Sequence, residues 1–296
     1  MNSTMQFTIT GYSTAMFSTW YFIEELGLLF DAGDGITSAL LQKARKINHV
    51  CLSHADRDHL TGLLQFNQLN ARVGFPKIYY PKDCGSIAAL ADFTKQFDPH
   101  ALGTEWIPVH ENEEIILGNS IQVKAIRNNH IPAADGVAKS LSYKVMQTKR
   151  KLKNEFRSYS QAELMNVVAI HGKDSVTVPY ETPLLAYSGD TPVESYERWD
   201  YSNILIHEAT FLGGGDELSE SPHQNKHSTL QEVLTMVSEI TVNTLILGHF
   251  SARYSEQEID EKIRYLCNKL RVKIPVYRVL PGRIHVDVLT QAPINS

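Results

Sequence analysis

The stretch Ser53-His54-Ala55-Asp56-Arg57-Asp58-His59-Leu60-Thr61-Gly62 decides the fold of this chain. It offers two imidazoles and two carboxylates within six positions, on His54, Asp56, Asp58 and His59. The apolar run before it, 47–52, is typical of a buried strand, and the residues after it are typical of a helix start. A loop at the end of a buried strand can direct several ligands at one point. By itself, the stretch fits either a metal site or a polar turn.

The composition is that of an ordinary globular protein. The chain has 296 residues, of which 43% are hydrophobic and 21% charged, which is enough to bury a large core. A formal net charge of −5 argues against bulk electrostatic binding of nucleic acid, although a local basic patch is compatible with it. The three cysteines, Cys51, Cys84 and Cys267, form no Cys-x-x-Cys pair, which favours a reducing compartment. We find neither a signal peptide nor a membrane-spanning apolar run, and we expect a soluble, cytoplasmic protein.

Hydrophobic patterning divides the chain into two β-rich halves, with helices between the later strands. It predicts strands at 7–10, 19–23, 28–31, 47–52, 77–80, 106–109, 121–126, 141–146, 184–188, 204–208, 244–247, 276–279 and 283–289. It predicts helices at 36–46, 60–70, 85–97, 160–168, 229–239 and 256–270, and a glycine-rich loop at 213–215. No proline-rich or charge-rich linker interrupts it. We therefore expect one domain over residues 1–296, an α/β (α+β) chain folded as a four-layer αββα sandwich.

Groups that bind metals follow several of the predicted strands. The loop from His54 to His59, His130, Asp190 and His249 each come directly after an apolar run. A single His or Asp in such a place is usually a turn or capping residue. Four such strand ends in one chain indicate a rim where loops converge on a dinuclear metal site.

The order of these motifs resembles the metallo-β-lactamase fold and, within it, the tRNase Z (ribonuclease Z) group of metal-dependent phosphodiesterases. Residues 29–35 resemble the family's Asp-x-Gly-x-Gly turn, and the opening stretch resembles its His-x-His-x-Asp-His signature. Residues 187–191 resemble the strand with the bridging aspartate, and 248–254 resemble the last ligand motif. The motifs at 206–211 and 227–229 are typical of tRNase Z-like enzymes rather than of other branches. The resemblance covers nearly the whole chain.

The resemblance implies two divalent metal ions, zinc or manganese. One would be held by His54, Asp56 and His130, the second by Asp58, His59 and His249, with Asp190 bridging them. Such metals lower the pKa of a shared water and neutralise charge on phosphorus. Asp58 would accept the proton of that water, and Glu208 with His227 would protonate the leaving oxygen. The resemblance also implies an RNA or nucleotide phosphodiester substrate and a homodimer.

Asp56 is the first departure from the family pattern, which usually has a histidine at this position. Asp56 adds a hard, anionic oxygen to a site that already has Asp58 and Asp190. This change shifts the preferred metal from zinc towards manganese or another harder ion. A similar His-x-Asp-x-Asp-His signature is found in the hydrolase domain of DNA-uptake proteins, so it is compatible with a working site.

The segment at about 147–180 is the second departure. Enzymes that trim tRNA 3′ ends carry a glycine- and proline-rich projecting arm there, whereas this segment has one glycine, Gly172, and one proline, Pro179. Its short basic run at 149–157 is typical of a solvated helix face and could supply only a few phosphate contacts. Because glycine and proline are so few in this segment, we expect the chain to lack the arm.

Three further functions are compatible with the sequence. Armless relatives hydrolyse cyclic nucleotides, so a cyclic-nucleotide phosphodiesterase is as consistent with the residues as tRNA 3′ processing. Hydrolysis of a lactone or amide is disfavoured, because the branches that do this lack the motifs around Glu208 and His227. A binding protein with a decayed site is supported by Asp56 alone.

Overall fold

A computed structural model describes residues 5–118, 120–213 and 226–296 of the chain. Most of the predicted glycine-rich loop at 213–215 lies outside these residues. Within them, thirteen strands form two mixed β-sheets, and each sheet is antiparallel in one part and parallel in the other.

The first sheet contains six strands in chain order. They are β1 (Ile9–Thr14), β2 (Ser18–Ile23), β3 (Leu28–Phe30), β4 (His49–Cys51), β5 (Lys77–Pro81) and β6 (Glu105–Val109). The pairs from β1 to β3 are antiparallel and the pairs from β3 to β6 are parallel. The parallel connections carry the helices α1 (Ile36–Leu40), α2 (Leu63–Asn70) and α3 (Gly85–Phe97). These helices bury one face of the sheet, in a cluster that includes Trp20, Ile36, Phe66 and Ile87.

The second sheet contains seven strands. They are β7 (Glu114–Gly118), β8 (Ile121–Arg127), β9 (Leu141–Leu152), β10 (Thr177–Tyr187), β11 (Ile204–Glu208), β12 (Thr244–Gly248) and β13 (Val276–Arg278), in spatial order from β13 to β7. The pairs from β7 to β10 are antiparallel and those from β10 to β13 are parallel. The helices in this half are α4 (Gln161–His171), α5 (Lys173–Val176), α6 (Leu230–Glu239) and α7 (Glu256–Leu270).

The predicted αββα sandwich is confirmed by three separate apolar clusters. Helices α6 and α7 cover the outer face of the second sheet through residues such as Leu234 and Ile263. The inner faces of the two sheets meet in a cluster where the ring of Phe30 stacks against those of Tyr143 and Tyr187. Helix, sheet, sheet and helix therefore follow one another in four layers, each burying the apolar face of the next.

The segment 147–180 is an arm, and the expectation that the chain lacks one was wrong. Strand β9 continues through Lys149, Arg150 and Lys151 to Leu152, which pairs with Thr177 at the start of β10. The first three cations of the run therefore lie on a β-ribbon and not on a helix face. Helices α4 and α5 close the ribbon, and no residue from 146 to 175 is buried. An antiparallel ribbon with a helical end needs no Gly-Pro pair, so composition did not reveal it.

One further expectation about strands was wrong, and one strand was not predicted. Residues 283–289 form no strand in the described chain, because Asp287 has a left-handed φ of 44° and only His285 bridges to Gly11. Strand β7 was not predicted, because it is short and begins with a glutamate.

None of the helices in the described residues is both long and apolar enough to cross a membrane.

Candidate active site

The predicted site residues stand at the carboxyl ends of strands from both sheets. The loop from His54 to His59 follows β4, Asp190 follows β10 and His249 follows β12, while Glu208 ends β11. His130 follows β8, which runs in the same direction as β10 because both are antiparallel to β9. The ends of strands that run in one direction meet at one edge of a sheet. Residues far apart in the sequence therefore come together there.

One group of potential ligands surrounds Asp56. Its Oδ2 atom is 3.5 Å from Nε2 of His54 and 3.5 Å from Nε2 of His130. These three atoms lie close enough together to hold one metal ion.

A second group surrounds Asp58, whose Oδ2 atom is 3.5 Å from Nε2 of His59 and 3.4 Å from Nε2 of His249. The carboxylate of Asp190 lies between the two groups. Its Oδ2 atom is 3.8 Å from Nε2 of His54, 3.2 Å from that of His59 and 3.3 Å from that of His249. The structure thus brings together all seven residues that the family resemblance assigns to metals, with Asp190 in the bridging position.

The four imidazoles of the site share one orientation. In each of them Nδ1 is bonded away from the site, at 2.8 Å, to Ser53 Oγ (His54), Asp31 Oδ2 (His59), Lys226 O (His130) and Thr210 Oγ1 (His249). The Ser53 hydroxyl donates its own proton to Asp31, and the Thr210 hydroxyl donates to Glu208. All four partners therefore accept, and each Nδ1 carries a proton.

In His54, His59 and His130 the second nitrogen then has a free lone pair that faces the site, whereas Nε2 of His249 lies 3.4 Å from Asp58 Oδ2. The buried Nε2 atoms of His54, His59 and His130 have no hydrogen-bond partner among the described residues. A buried nitrogen without a partner is costly, and a neutral imidazole held by its other nitrogen is the usual form of a metal ligand. The donor set of imidazoles and carboxylates therefore fits the divalent ions that the fold implies.

The electrostatics of the site also favour bound cations. Burial raises the pKa of Asp58, but His59 and His249 lower it to about 2, so this carboxylate is ionised. Burial lowers the pKa of His59, yet Asp190 and Asp31 raise it well above its usual value. An imidazole whose pKa rises in a fully buried position marks an excess of negative charge, which metal ions would balance.

Glu208 and His227 form a separate pair beside the bridging aspartate. His227 Nδ1 lies 3.2 Å from Glu208 Oε1 and 3.8 Å from Asp190 Oδ2. The backbone N–H and hydroxyl of Thr210 hold the other Glu208 oxygen. Burial lowers the pKa of His227, but the charge and hydrogen bond of Glu208 raise it to about 9. This imidazole is therefore able to carry and donate a proton near neutral pH.

The N-terminal cap of α6 fixes the position of His227. Thr229 caps α6, because its hydroxyl accepts from the N–H of Glu232 while that carboxylate accepts from the N–H of Thr229. This capping box fixes the chain two residues after His227. The Ser228 hydroxyl donates to the carbonyl of Thr191, which ties the same turn to the loop after β10.

Sequence reasoning missed two residues that position the ligands. Asp31 accepts from the N–H and hydroxyl of Ser53, from Nδ1 of His59 and from the hydroxyl of Tyr187. Thr210 links His249 to Glu208. Both residues lie inside motifs that carry the family resemblance, and a polar residue directly after a buried strand was the available signal.

Known proteins are similar to this chain over most of its length. The model of the Beta-lactamase superfamily domain matches residues 28–152. The chain is 30% identical over 250 residues to the ribonuclease Z of Ignicoccus hospitalis, covering 79% of this chain and 81% of that protein. It is 26% identical over 279 residues to the tRNase Z TRZ1 of Arabidopsis thaliana, covering 90% and 94%. The crystal structure of the short form of human tRNase Z, 17% identical, shares the fold with a TM-score of 0.59, covering 95% of this chain and 99% of that chain.

We expect Thr210→Val to weaken metal binding, because it removes the acceptor of His249 Nδ1–H and the donor to Glu208. Loss of such an outer hydrogen bond lowers metal affinity about 10- to 100-fold. Isothermal titration of the metal-free protein with Mn²⁺ and with Zn²⁺ measures this. Thr210→Ser keeps the hydroxyl and serves as the control. Equal affinities for the valine and serine variants would contradict the assigned hydrogen bonds.

Proposed function

This chain belongs to the ribonuclease Z family of metallo-β-lactamase-fold hydrolases, and we propose that it cleaves a phosphodiester bond at the 3′ end of a tRNA precursor. The observation that carries the choice of substrate is the arm, 147–180. The relatives from Ignicoccus hospitalis and Arabidopsis thaliana described above are called ribonuclease Z and tRNase Z.

We propose two ligand groups that share one carboxylate. His54, Asp56 and His130 would hold one divalent ion and Asp58, His59 and His249 the other, with Asp190 common to both. When bound, the two ions lower the pKa of a water and offset the negative charge that builds up on phosphorus. The Nδ1 hydrogen bonds described above hold the imidazoles in place, so little reorganisation accompanies the reaction.

Proton transfer is assigned to residues on either side of the bridging aspartate. Asp58 is ionised, and one of its oxygens faces the site, so it can take the proton of the attacking water. Protonated His227, held by Glu208, can give its proton to the ribose oxygen that leaves. The two roles need opposite charge states, and the surroundings of Asp58 and His227 push their pKa values in opposite directions.

The position of the arm favours a large substrate over a cyclic nucleotide. The arm ends at Tyr180 on β10, and this strand ends at Tyr187, three residues before Asp190. At a rise of about 3.3 Å per residue, the stretch from Tyr180 to Tyr187 spans roughly 23 Å. A ligand that touches both the arm and the site must therefore span a distance that a mononucleotide cannot.

The arm also carries charge suited to RNA phosphates. Its cationic side chains on the ribbon and its helical end are Lys149, Arg150, Lys151, Lys153, Arg157 and Lys173, and none of them is buried. Each contact with a phosphate adds affinity that falls as salt rises. A local basic arm reconciles RNA binding with the net charge of −5 for the whole chain.

We propose that Asp56 tunes the metal preference. With Asp56, both ligand groups consist of two imidazoles, one carboxylate and the shared Asp190. A histidine at position 56 would give the first group a third imidazole, and nitrogen ligands favour zinc more than manganese. The aspartate therefore makes both groups more favourable for manganese than the usual family site is.

A homodimer stays a prediction from the family resemblance. Phe93 and Phe97 on α3 are 50% and 68% exposed, and their rings stack on each other, so α3 is a surface where a second copy could pack. Light scattering of the purified protein tests this, and a monomer at micromolar concentration would contradict it.

An arm-excised variant tests the substrate. Replacing residues 154–175 by Asn-Gly closes the ribbon, because the N–H of Lys153 already donates to the carbonyl of Val176. The variant also carries Lys149→Thr, Arg150→Thr, Lys151→Thr and Lys153→Thr, so it loses all six cations of the arm. We expect the parent to cleave a 3′-extended tRNA precursor more efficiently than a 3′,5′-cyclic mononucleotide. Loss of several phosphate contacts should raise KM for the precursor at least about tenfold in the variant. Its turnover of bis(p-nitrophenyl) phosphate should be unchanged.

Asp190→Ala is the control that removes the carboxylate shared by both proposed metal groups. It should abolish turnover of the tRNA precursor, the cyclic mononucleotide and bis(p-nitrophenyl) phosphate. A parent enzyme that prefers the cyclic nucleotide, or a variant that retains the precursor KM, would contradict tRNA 3′ processing. The melting temperature of each variant checks that it is folded.

His227→Ala tests the proposed general acid through the leaving group. A ribose oxygen needs a proton as it leaves, whereas p-nitrophenolate is stable without one. We expect the variant to lose about 10²- to 10⁴-fold in turnover of the RNA substrate. It should lose far less on bis(p-nitrophenyl) phosphate. Equal losses on both substrates would show that His227 acts in another way.

Asp56→His tests the metal proposal. Metal-free parent and variant are loaded from an equimolar mixture of Mn²⁺ and Zn²⁺, and the bound metals are measured by elemental analysis. The added imidazole should raise the bound zinc-to-manganese ratio. Asp56→Asn, which keeps an oxygen ligand, is the control. A ratio that is the same in the parent and the histidine variant would refute the role of Asp56.

A further inference from the structure

The turn between β1 and β2 exposes two apolar side chains. Met16 is 88% and Phe17 is 65% exposed, although the turn joins strands that are buried almost throughout. We call residues 15–17 the tip. Large apolar side chains at such exposure are unremarkable singly, but an adjacent pair beside a catalytic site is a candidate for ligand contact.

Backbone hydrogen bonds hold the tip against the active site. The N–H of Met16 donates to Asp58 Oδ2 at 3.0 Å. The N–H of Ala15 donates to the carbonyl of Phe250, the residue after His249, at 3.2 Å. The exposed side chains of the tip therefore begin within a few ångström of the second proposed metal group.

The backbone of Met16 is in a conformation that methionine disfavours. Its φ is 69°, a left-handed value normally found for glycine or asparagine. The hydrogen bonds to Asp58 and across the turn, from Phe17 N–H to Thr14 O, keep it there. Non-glycine residues held in this region tend to cluster at functional sites. Glycine would form this turn more easily, so the presence of methionine indicates that its side chain has a role of its own.

We propose that Met16 and Phe17 form a platform on which the nucleobase next to the cleaved phosphodiester stacks. This inference rests on the proposed function, since it needs a nucleic-acid substrate at the site. In single-stranded RNA a base lies one sugar away from the phosphate, which matches an apolar surface fixed at the edge of the metal groups. A thioether and a phenyl ring offer flat, polarizable contact to a base.

The chemistry of the tip excludes the other parts of the substrate. Ala15, Met16 and Phe17 carry no charged or polar side-chain group, so they cannot bind phosphate or ribose hydroxyls through their side chains. Stacking contacts the face of a base and makes no hydrogen bond with its edge, so it does not distinguish one base from another. The platform should therefore accept any base but require one that is unpaired, as at the end of a tRNA acceptor stem.

Abasic RNA tests the platform. The substrates are a 3′-extended tRNA precursor and the same RNA with abasic nucleotides on both sides of the cleaved bond. The tip variant combines Met16→Gly, which suits the positive φ, with Phe17→Ser. The matched control is Leu41→Gly, because Leu41 is also 71% exposed with a positive φ of 48° but lies in the helical layer of the first sheet.

We expect the parent and the Leu41→Gly control to lose about 5- to 100-fold in kcat/KM on the abasic RNA, as expected for one stacked base. The tip variant should cleave both RNAs at nearly the same rate, close to that of the parent on the abasic RNA. For each enzyme we compare kcat/KM on the intact RNA with kcat/KM on the abasic RNA. A loss of folded protein lowers both values equally and leaves their ratio unchanged.

A tip variant with the same intact-to-abasic ratio as the parent would overturn the platform. A change from dimer to monomer on substituting the tip, seen by light scattering, would also overturn it, because a second copy would then cover the tip. If the parent cleaves neither RNA, the proposed function and the platform both fail. If it cleaves the intact RNA and the ratio is unchanged in the tip variant, the platform alone fails.

Discussion

The buried carboxylate of Asp31 is the interaction on which the geometry of the site depends. It stands directly after β3 in the first sheet and accepts from two groups of Ser53, from His59 and from Tyr187 in the second sheet. Three of these donors converge on Oδ2, and the N–H of Ser53 donates to Oδ1. One side chain thus joins the ligand loop after β4 to the strand that leads to Asp190. Through Ser53 it also sets the proton on His54.

Hydrogen bonds also fix the other imidazoles of the site. Each imidazole is held by an acceptor on the side away from the metals, and the acceptors come from different parts of the chain. Thr210 connects one ligand, His249, to the carboxylate that charges His227. In the proposed mechanism, metal binding and proton delivery would therefore be coupled through one hydroxyl.

Substrate size is set by features outside the ligand cluster. The arm continues β9 and β10, so it is attached to the strand that carries Asp190 but begins at the opposite end of that strand. The tip, 15–17, adjoins the cluster itself. A long polynucleotide could contact all three regions, whereas a small diester would contact only the metals. In the proposed function, affinity and chemistry would thus be separated in space, with RNA bound by the basic arm and cations by the acidic site.

The sequence by itself determined the αββα layers, most helices and strands, and the residues that meet at the site. It could do so because apolar runs, helix caps and ligand-bearing strand ends are local signals. Tertiary structure alone decided the arm, since a basic run looks the same on a solvated helix and on a ribbon until its partner strand is known. It also decided the roles of Asp31 and Thr210. A polar residue close after a buried strand is a local signal, but the donors that converge on each of them come from distant segments and are known only from the tertiary structure.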